Sequence, residues 1–280
     1  MLEPMKCAAV IPCLNEGVGV AALVMAARRY LPCVIVVDDG STDDTAALAK
    51  AAGATVVRHE RNRGKGASLR TGLSLAMAQG FEWTVTLDGD GQHAPEDLPV
   101  FLRGAEETGA LLVIGNRMND ARAMPWLRRQ VNRWMSRKLS QCVGRSLPDT
   151  QCGFRLVHLQ TWASLPLKTD HFEIESEMLM AFLAAAHPVA FAPVRVVRRR
   201  RSSHIHPVTD TLRWWKWWLA FRCSSLQPTK TNTDRRENSP PNSNDSHPPN
   251  WQPSNIFFLH SHNAPVVPKS EIPFPATQVR

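Results

Sequence analysis

The stretch WTVTLDGDGQH (83–93) of this 280-residue chain gathers reactive side chains at close spacing. An apolar, β-branched run stops at Asp88 and Asp90, one residue apart, with Gln92 and His93 just behind. Two carboxylates so spaced on a turn can reach one hard cation together, or one cation and a sugar hydroxyl. Oxygen-only ligation favours Mg²⁺ or Mn²⁺ and leaves coordination positions for a diphosphate. Gly89 and Gly91 let the backbone approach a ligand or take positive φ. Gln92 offers a neutral oxygen and His93 a nitrogen. A solvated Asp-Gly turn has the same composition, so its place in the fold decides between the two.

Two other turns carry acids in the same way. VVDDGSTDD ends an apolar run with Asp38 and Asp39, where an acid past the second strand of an α/β sheet can bind a ribose hydroxyl or a base N–H. IPCLNE ends the first run with Pro12, Asn15 and Glu16. RNRGKGASLRTG lacks the GxxxxGK[ST] of a P-loop, and no GxGxxG follows the first run. A helix starting near Gly64 beside Arg61, Arg63 and Lys65 can still contact phosphate.

The elements that must position these turns are short. Strand-length apolar runs lie at 7–13, 33–37, 54–58, 83–87 and 111–115. Helical segments are expected between them at 17–30, 43–52, 64–79 and 95–108. The second has Ser41 or Thr42 as N-cap, and the fourth opens on Pro95 with Glu96 and Asp97 near its positive end. Strand–helix alternation implies a parallel sheet covered on both faces. Ligands then bind at the carboxyl ends of the strands, where all three acidic turns fall.

Hydrophobic content of 43% suffices for a sizeable core, and neither a membrane-spanning run nor a leader peptide is expected. Six scattered cysteines, without CxxC pairs, read as reduced and buried in a cytoplasmic protein. Of the net charge of +8, Arg195–Arg222 supplies +7, from Arg195, Arg198, Arg199, Arg200, Arg201, Arg213, Lys216 and Arg222 against Asp210. Such a patch needs an anionic partner. HPVTDTLRWWKWWLAFR (206–222) carries four of the nine tryptophans, and reads either as an interfacial helix or as one packing its indoles on the domain. Residues 223–280 hold ten of the 21 prolines and read as a disordered tail after a single 1–222 domain.

The segments IPCLNE, VVDDGSTDDT, NRGKGASLRTGL, LDGDGQH, GNR and DTQCGFRL, in order and spacing, resemble inverting family 2 glycosyltransferases of the GT-A fold. The similarity spans about residues 6 to 215 and is strongest to the polyprenyl-phosphate (dolichyl-phosphate mannose synthase-like) subgroup. It implies a Rossmann-like, mixed but mostly parallel sheet flanked by helices. It also implies a nucleotide-sugar donor of the GDP-mannose or UDP-glucose type, a polyprenyl-phosphate or glycan acceptor, and a peripheral site at the cytoplasmic membrane face. Nucleic acid is not an expected partner. Pro12, Glu16, Asp38 and Asp39 match positions holding base and ribose. Asp88 matches the acid near ribose and metal, Asp90 the metal ligand, and Gln92 a further ligand in the lipid-phosphate subgroup. Arg117 matches a phosphate-binding arginine. Arg128 or Arg133, and Arg201, match basic positions facing the acceptor phosphate.

Inverting transfer needs an in-line nucleophile and a stabilised diphosphate leaving group. An acceptor phosphate is already ionised, whereas a sugar hydroxyl needs a carboxylate base, for which Asp149, Glu173, Glu175 and Glu177 are available. A nucleotidyltransferase would share the nucleotide half and the metal acids but needs another basic signature near the first strand. A non-catalytic anion-binding module leaves the acidic strand ends without purpose.

Overall fold

Apolar runs flanked by helical segments form strands buried on both faces, because helices cover each side of the sheet. The computed structural model describes residues 6–118, 124–197, 207–225 and 256–259, without the side chains of 207–208 and 222–225. The first half contains β1 (Cys7–Cys13), α1 (Gly17–Ala27), β2 (Cys33–Asp38), α2 (Thr45–Ala51), β3 (Thr55–Arg58), α3 (Lys65–Ala78) and β4 (Trp83–Thr86). After a 3₁₀ turn at Pro95–Asp97 come α4 (Leu98–Thr108), β5 (Leu112–Asn116), α5 (Trp126–Val143), β6 (Arg155–His158) and α6 (Leu159–Ala163). α7 (Ile174–Ala184), β7 (Val189–Pro193), α8 (Pro207–Ser225) and β8 (Ile256–Phe258) complete the order.

The described strands form one sheet, in the order β3-β2-β1-β4-β6-β5-β7-β8. β6 runs antiparallel to both β4 and β5, and the other pairings are parallel. The mixed, mostly parallel sheet is the one expected. Its carboxyl ends bring together the turns after β1, β2 and β4, and β6, being reversed, brings the loop before it to the same edge. The core joins Val10, Ile35, Val85, Leu112 and Leu156 on the sheet to Leu73 of α3 and Leu98 of α4, each fully buried.

Three expectations are corrected. Neither Ser41 nor Thr42 caps α2; Asp44 stands at that place, and Asp43 Oδ1 takes the amide of Thr45 at 3.0 Å instead. The terminal helix continues past residue 222 to Ser225. Residues 256–258 of the expected disordered tail form β8, because the IFFL run satisfies the open edge of β7. Ile256 is buried, Phe258 stacks on Phe191 at 5.8 Å, and the Leu259 amide donates to Phe191 O at 3.0 Å. Residues 226–255 and 260–280 lie outside the described residues.

Among the described residues no helix is long and apolar enough to cross a membrane. α8 settles the two readings of its indoles in favour of packing for Trp214 and Trp218, which are 2% and 5% exposed. Trp214 donates its Nε1–H to Ser176 Oγ at 2.7 Å, and Trp215 stacks on Trp134 of α5 at 5.5 Å.

Candidate active site

Buried Leu87 follows β4, and the chain then turns through Asp88, Gly89 and Asp90 into a cavity of about 250 Å³. The turn is tight: a Cβ on Gly89 would stand 2.9 Å from Pro12 O, and Gly91 has φ +65°. Asp88 Oδ1 accepts from the Lys65 ammonium at 2.5 Å, and Oδ2 from His93 Nε2 at 3.0 Å. Burial alone would push Asp88 up, but Lys65 and His93 outweigh it and hold the carboxyl well below the usual carboxylate range. Asp90 Oδ1 takes the Gln92 amide at 3.0 Å. The Gln92 side chain turns to Arg128, accepting from Nη1 at 3.1 Å, so the expected third ligand is engaged elsewhere in this structure.

The end of β1 and the turn after it supply Pro12 and Glu16 to the same cavity wall. Glu16 is fixed through its own amide, which donates to Thr45 Oγ1 at 2.8 Å. The pair after β2 divides. Asp39 lines the cavity, but its carboxylate is occupied by His59 Nδ1 at 2.7 Å and by the amides of Arg63 and Gly64 at 3.0 and 2.8 Å. It therefore organises the 61–64 loop that opens α3. Asp38 is fully buried, not at the cavity; it closes the Ser41 turn at 3.0 Å and pairs with Arg58 Nε at 3.2 Å.

Among the basic residues, Arg128 of α5 lines the cavity, whereas Arg133 is exposed on α5. Arg117 is 4% exposed and lies behind the wall. Its Nε and Nη2 donate to the two oxygens of Asp149 at 2.8 and 2.9 Å, because a guanidinium that deep needs a bidentate acid. Burial pulls Arg117 down and Asp149 more than reverses it, while the same pair holds Asp149 below its ordinary value. Arg201 lies outside the described residues, with Arg198–Arg200. Arg195 is tied to Asp97 by its amide at 2.9 Å and its Nε at 2.8 Å.

The downstream acids have distinct duties. Asp149 holds Arg117, Glu175 Oε1 stands 2.5 Å from Lys65 Nζ, and Glu177 clamps the 168–169 turn through the amides of Lys168 and Thr169 at 3.0 and 2.9 Å. Glu173 is the α7 N-cap; its Oε2 is buried without a hydrogen-bond partner, and burial pushes its carboxyl up. Two functional candidates escaped the sequence as site residues. Lys65, read there within a basic helix start able to contact phosphate, and Arg213, read within the basic 195–222 patch, both line the cavity.

The donor set fits an oxygen-seeking divalent cation: Asp88 and Asp90 supply hard oxygens on the wall of a cavity wide enough for phosphates, and Arg128 and Lys65 face the same space. No three or more His, Cys, Asp or Glu gather as a self-sufficient metal cage among the described residues. Two carboxylates with positions left for phosphate oxygens suit an ion that arrives with its substrate. Among the described residues five cysteines are free thiols; burial pushes Cys7 and Cys152 up to about 12, so these two are packing groups.

Residues 8–160 match the model of a family described as glycosyl transferase family 2. An uncharacterized protein of Methanocaldococcus jannaschii is 31% identical over 193 residues, covering 67% of this chain and 79% of that protein. The polyprenol monophosphomannose synthase of Mycolicibacterium smegmatis is 31% identical over 157 residues, covering 52% of this chain and 59% of the other. In fold, the chain is similar to glucosyl-3-phosphoglycerate synthase from Mycobacterium tuberculosis, solved with Mn²⁺, UDP-glucose and phosphoglyceric acid. The TM-score is 0.61 at 24% identity, covering 78% of this chain and 79% of that one.

Proposed function

Because the chain belongs to glycosyl transferase family 2, we propose that it transfers a sugar, with inversion, from a nucleoside-diphosphate sugar to a polyprenyl phosphate. The observation that carries this reading is the cavity in which the Asp88–Asp90 turn meets Arg128, Lys65 and Arg213. Acids for a cation and bases for phosphates share one wall. A Mg²⁺ or Mn²⁺ ion held there by Asp88 and Asp90 supplies charge neutralisation of the leaving diphosphate. Pro12 and Glu16 shape the pocket for the nucleoside, and Asp39 holds the 61–64 loop against it. Arg117 acts from behind the wall, and Arg128 offers a planar fork to phosphate oxygens.

The state of the acids supports this acceptor class. Three of the four downstream carboxylates are engaged with Arg117, Lys65 and backbone amides, Glu173 does not line the cavity, and Asp210, which does, faces Arg213 Nη1 at 3.4 Å. A hydroxyl acceptor needs a carboxylate to take its proton; a phosphate monoester is ionised already. The relative that makes polyprenol monophosphomannose supports the same class. We propose peripheral attachment at a cytoplasmic membrane face. Exposed Trp126, Leu127, Leu212 and Leu219 provide apolar groups for it, and exposed Arg133, Arg137 and Lys216 can reach lipid phosphates.

The test is a panel of GDP- and UDP-sugars with Mn²⁺ and a short polyprenyl phosphate, scored by diphosphate release and lipid-extractable sugar. One donor is expected to give both, and Asp90→Ala to abolish both without lowering the melting temperature. Sugar recovered only on a hydroxyl acceptor refutes the acceptor class. Near-wild-type turnover of Asp90→Ala refutes the cation site.

A further inference from the structure

Lys65, Asp88 and Glu175 come from three separate places: the start of α3, the turn after β4 and the first turn of α7. The Lys65 ammonium stands 2.5 Å from Asp88 Oδ1 and 2.5 Å from Glu175 Oε1. The Phe172 ring lies 5.4 Å from the same nitrogen, within reach of a cation–π contact. Gly153 closes over the pair; a Cβ there would stand 2.5 Å from Asp88 Oδ1 and 2.8 Å from Lys65 Nζ. Glycine at 153 leaves room for both side-chain ends, and the two contacts of Lys65 hold the lysine against the aspartate.

A carboxylate as enclosed as Asp88 needs positive charge beside it. Lys65 provides one charge, on Asp88 Oδ1, while His93 Nε2 takes Oδ2, so a divalent cation must share the carboxylate with them. A metal ion and an ammonium crowded onto one carboxylate repel each other strongly in a site with little water. Something must take up the ammonium when the cation arrives, and Glu175, already in contact with it, is placed to do so.

We propose that Lys65 is a resident counter-charge on Asp88 and that Glu175 is its second anchor. The ammonium neutralises Asp88 while the cation is absent, and it is retained by Glu175 and the Phe172 face once a cation takes Asp88. No proton moves in this exchange; the lysine stays ionised throughout. Lys65 and Glu175 are thus positioning residues that set how tightly the site takes its cation. The inference rests on the cation site proposed above.

The experiment measures binding of Mn²⁺ alone, as the fall in free-ion EPR signal, to the full chain without nucleotide or acceptor. Wild type is compared with Lys65→Met, Glu175→Gln and Asp90→Ala, each first checked by thermal melting. The expected result is an Mn²⁺ affinity about five- to tenfold higher in Lys65→Met, which removes the competing charge. Glu175→Gln is expected to bind several-fold more weakly, because the ammonium then has only Asp88 as a charged partner. A plain structural ion pair would lower the melting temperature in both variants without tightening Mn²⁺ binding in either. Unchanged or weaker Mn²⁺ binding by folded Lys65→Met, with Asp90→Ala still abolishing it, overturns the counter-charge proposal and leaves the cation site standing. If Lys65→Met does not fold, Glu175→Gln decides, and an unaltered affinity there overturns the proposal. Binding that ignores Asp90→Ala overturns the cation site and this inference together.

Discussion

Replacing Asp149 by Asn should cost the fold far more than its small change in shape suggests. Arg117 is 4% exposed and Asp149 fully buried, joined by two charge-assisted bonds of 2.8 and 2.9 Å. Hydrogen bonds to charged groups contribute about 1.5–3 kcal/mol each. Breaking a buried pair by removing one charge costs about 3–5 kcal/mol, because the other charge is stranded. For a domain of this size each 1 kcal/mol moves the midpoint by about 2–4 °C, so Asp149→Asn should melt roughly 6–20 °C below wild type. Arg117→Met with Asp149→Leu removes both charges and should recover most of that loss. Melting followed by circular dichroism, without metal or nucleotide, measures all three proteins. A single variant within 1 °C of wild type, or a double variant no better than the single, refutes the assignment. The double variant also tests catalysis: if it regains the melting temperature and full transfer, Arg117 does not contribute to phosphate binding.

Three further outcomes are expected. Truncation after Ser225 removes β8 and the cover it lends β7; with Ile256 buried and Phe258 stacked on Phe191, the loss should be about 2 kcal/mol, or 4–8 °C, and an unchanged midpoint would return the segment to an undocked tail. Ser176→Ala removes the 2.7 Å acceptor of the Trp214 Nε1–H without emptying the indole's place and should lower the midpoint by roughly 2–6 °C, against no change if the indole merely fills space. Asp149 is held below the free-carboxylate value of 3.8, so its contribution is complete above that value and is lost as pH falls toward the depressed folded value. The gap in melting temperature between wild type and Asp149→Asn should therefore be constant above about pH 5 and close below pH 4; a gap that closes near pH 6 contradicts the pairing.

β1, β2 and β4 and the acidic turns behind them were legible because strands buried on both faces read as unbroken apolar runs, whereas the edge strand β3 is only partly buried. The turns they end in inherit a common edge from that topology alone. β6 was not legible in the same way: RLVH puts Arg155 and His158 in a four-residue strand, and no periodicity reveals that it runs backwards. Arg155 is buried there because its guanidinium donates to Thr150 O, Cys152 O and Glu175 O, partners that no local pattern announces. The same holds for Lys65, which meets an acid 110 positions away. Composition spoke truly of a Pro-rich tail but not of the four apolar residues inside it that find an open strand edge. For Trp214 and Trp218, packing and membrane contact bury the same face, so only the location of Ser176 and Trp134 could separate them.

The reversed strand has a consequence for the order in which the molecule can be made. A chain leaving the ribosome can pair β1, β2, β3 and β4 as soon as Thr86 has emerged, since each lies beside strands already present. β5 comes next, yet its place is one strand removed from β4, and the gap is filled only when Arg155–His158 follows. Until then β5 has no sheet to join, and the loop that brings Gly153 onto Asp88 does not exist. A nascent chain paused between Asp90 and Gly153 can therefore present a half-sheet with its acidic turn open to the surrounding ions. Vectorial synthesis finishes the acids first, and the segment that covers them arrives last.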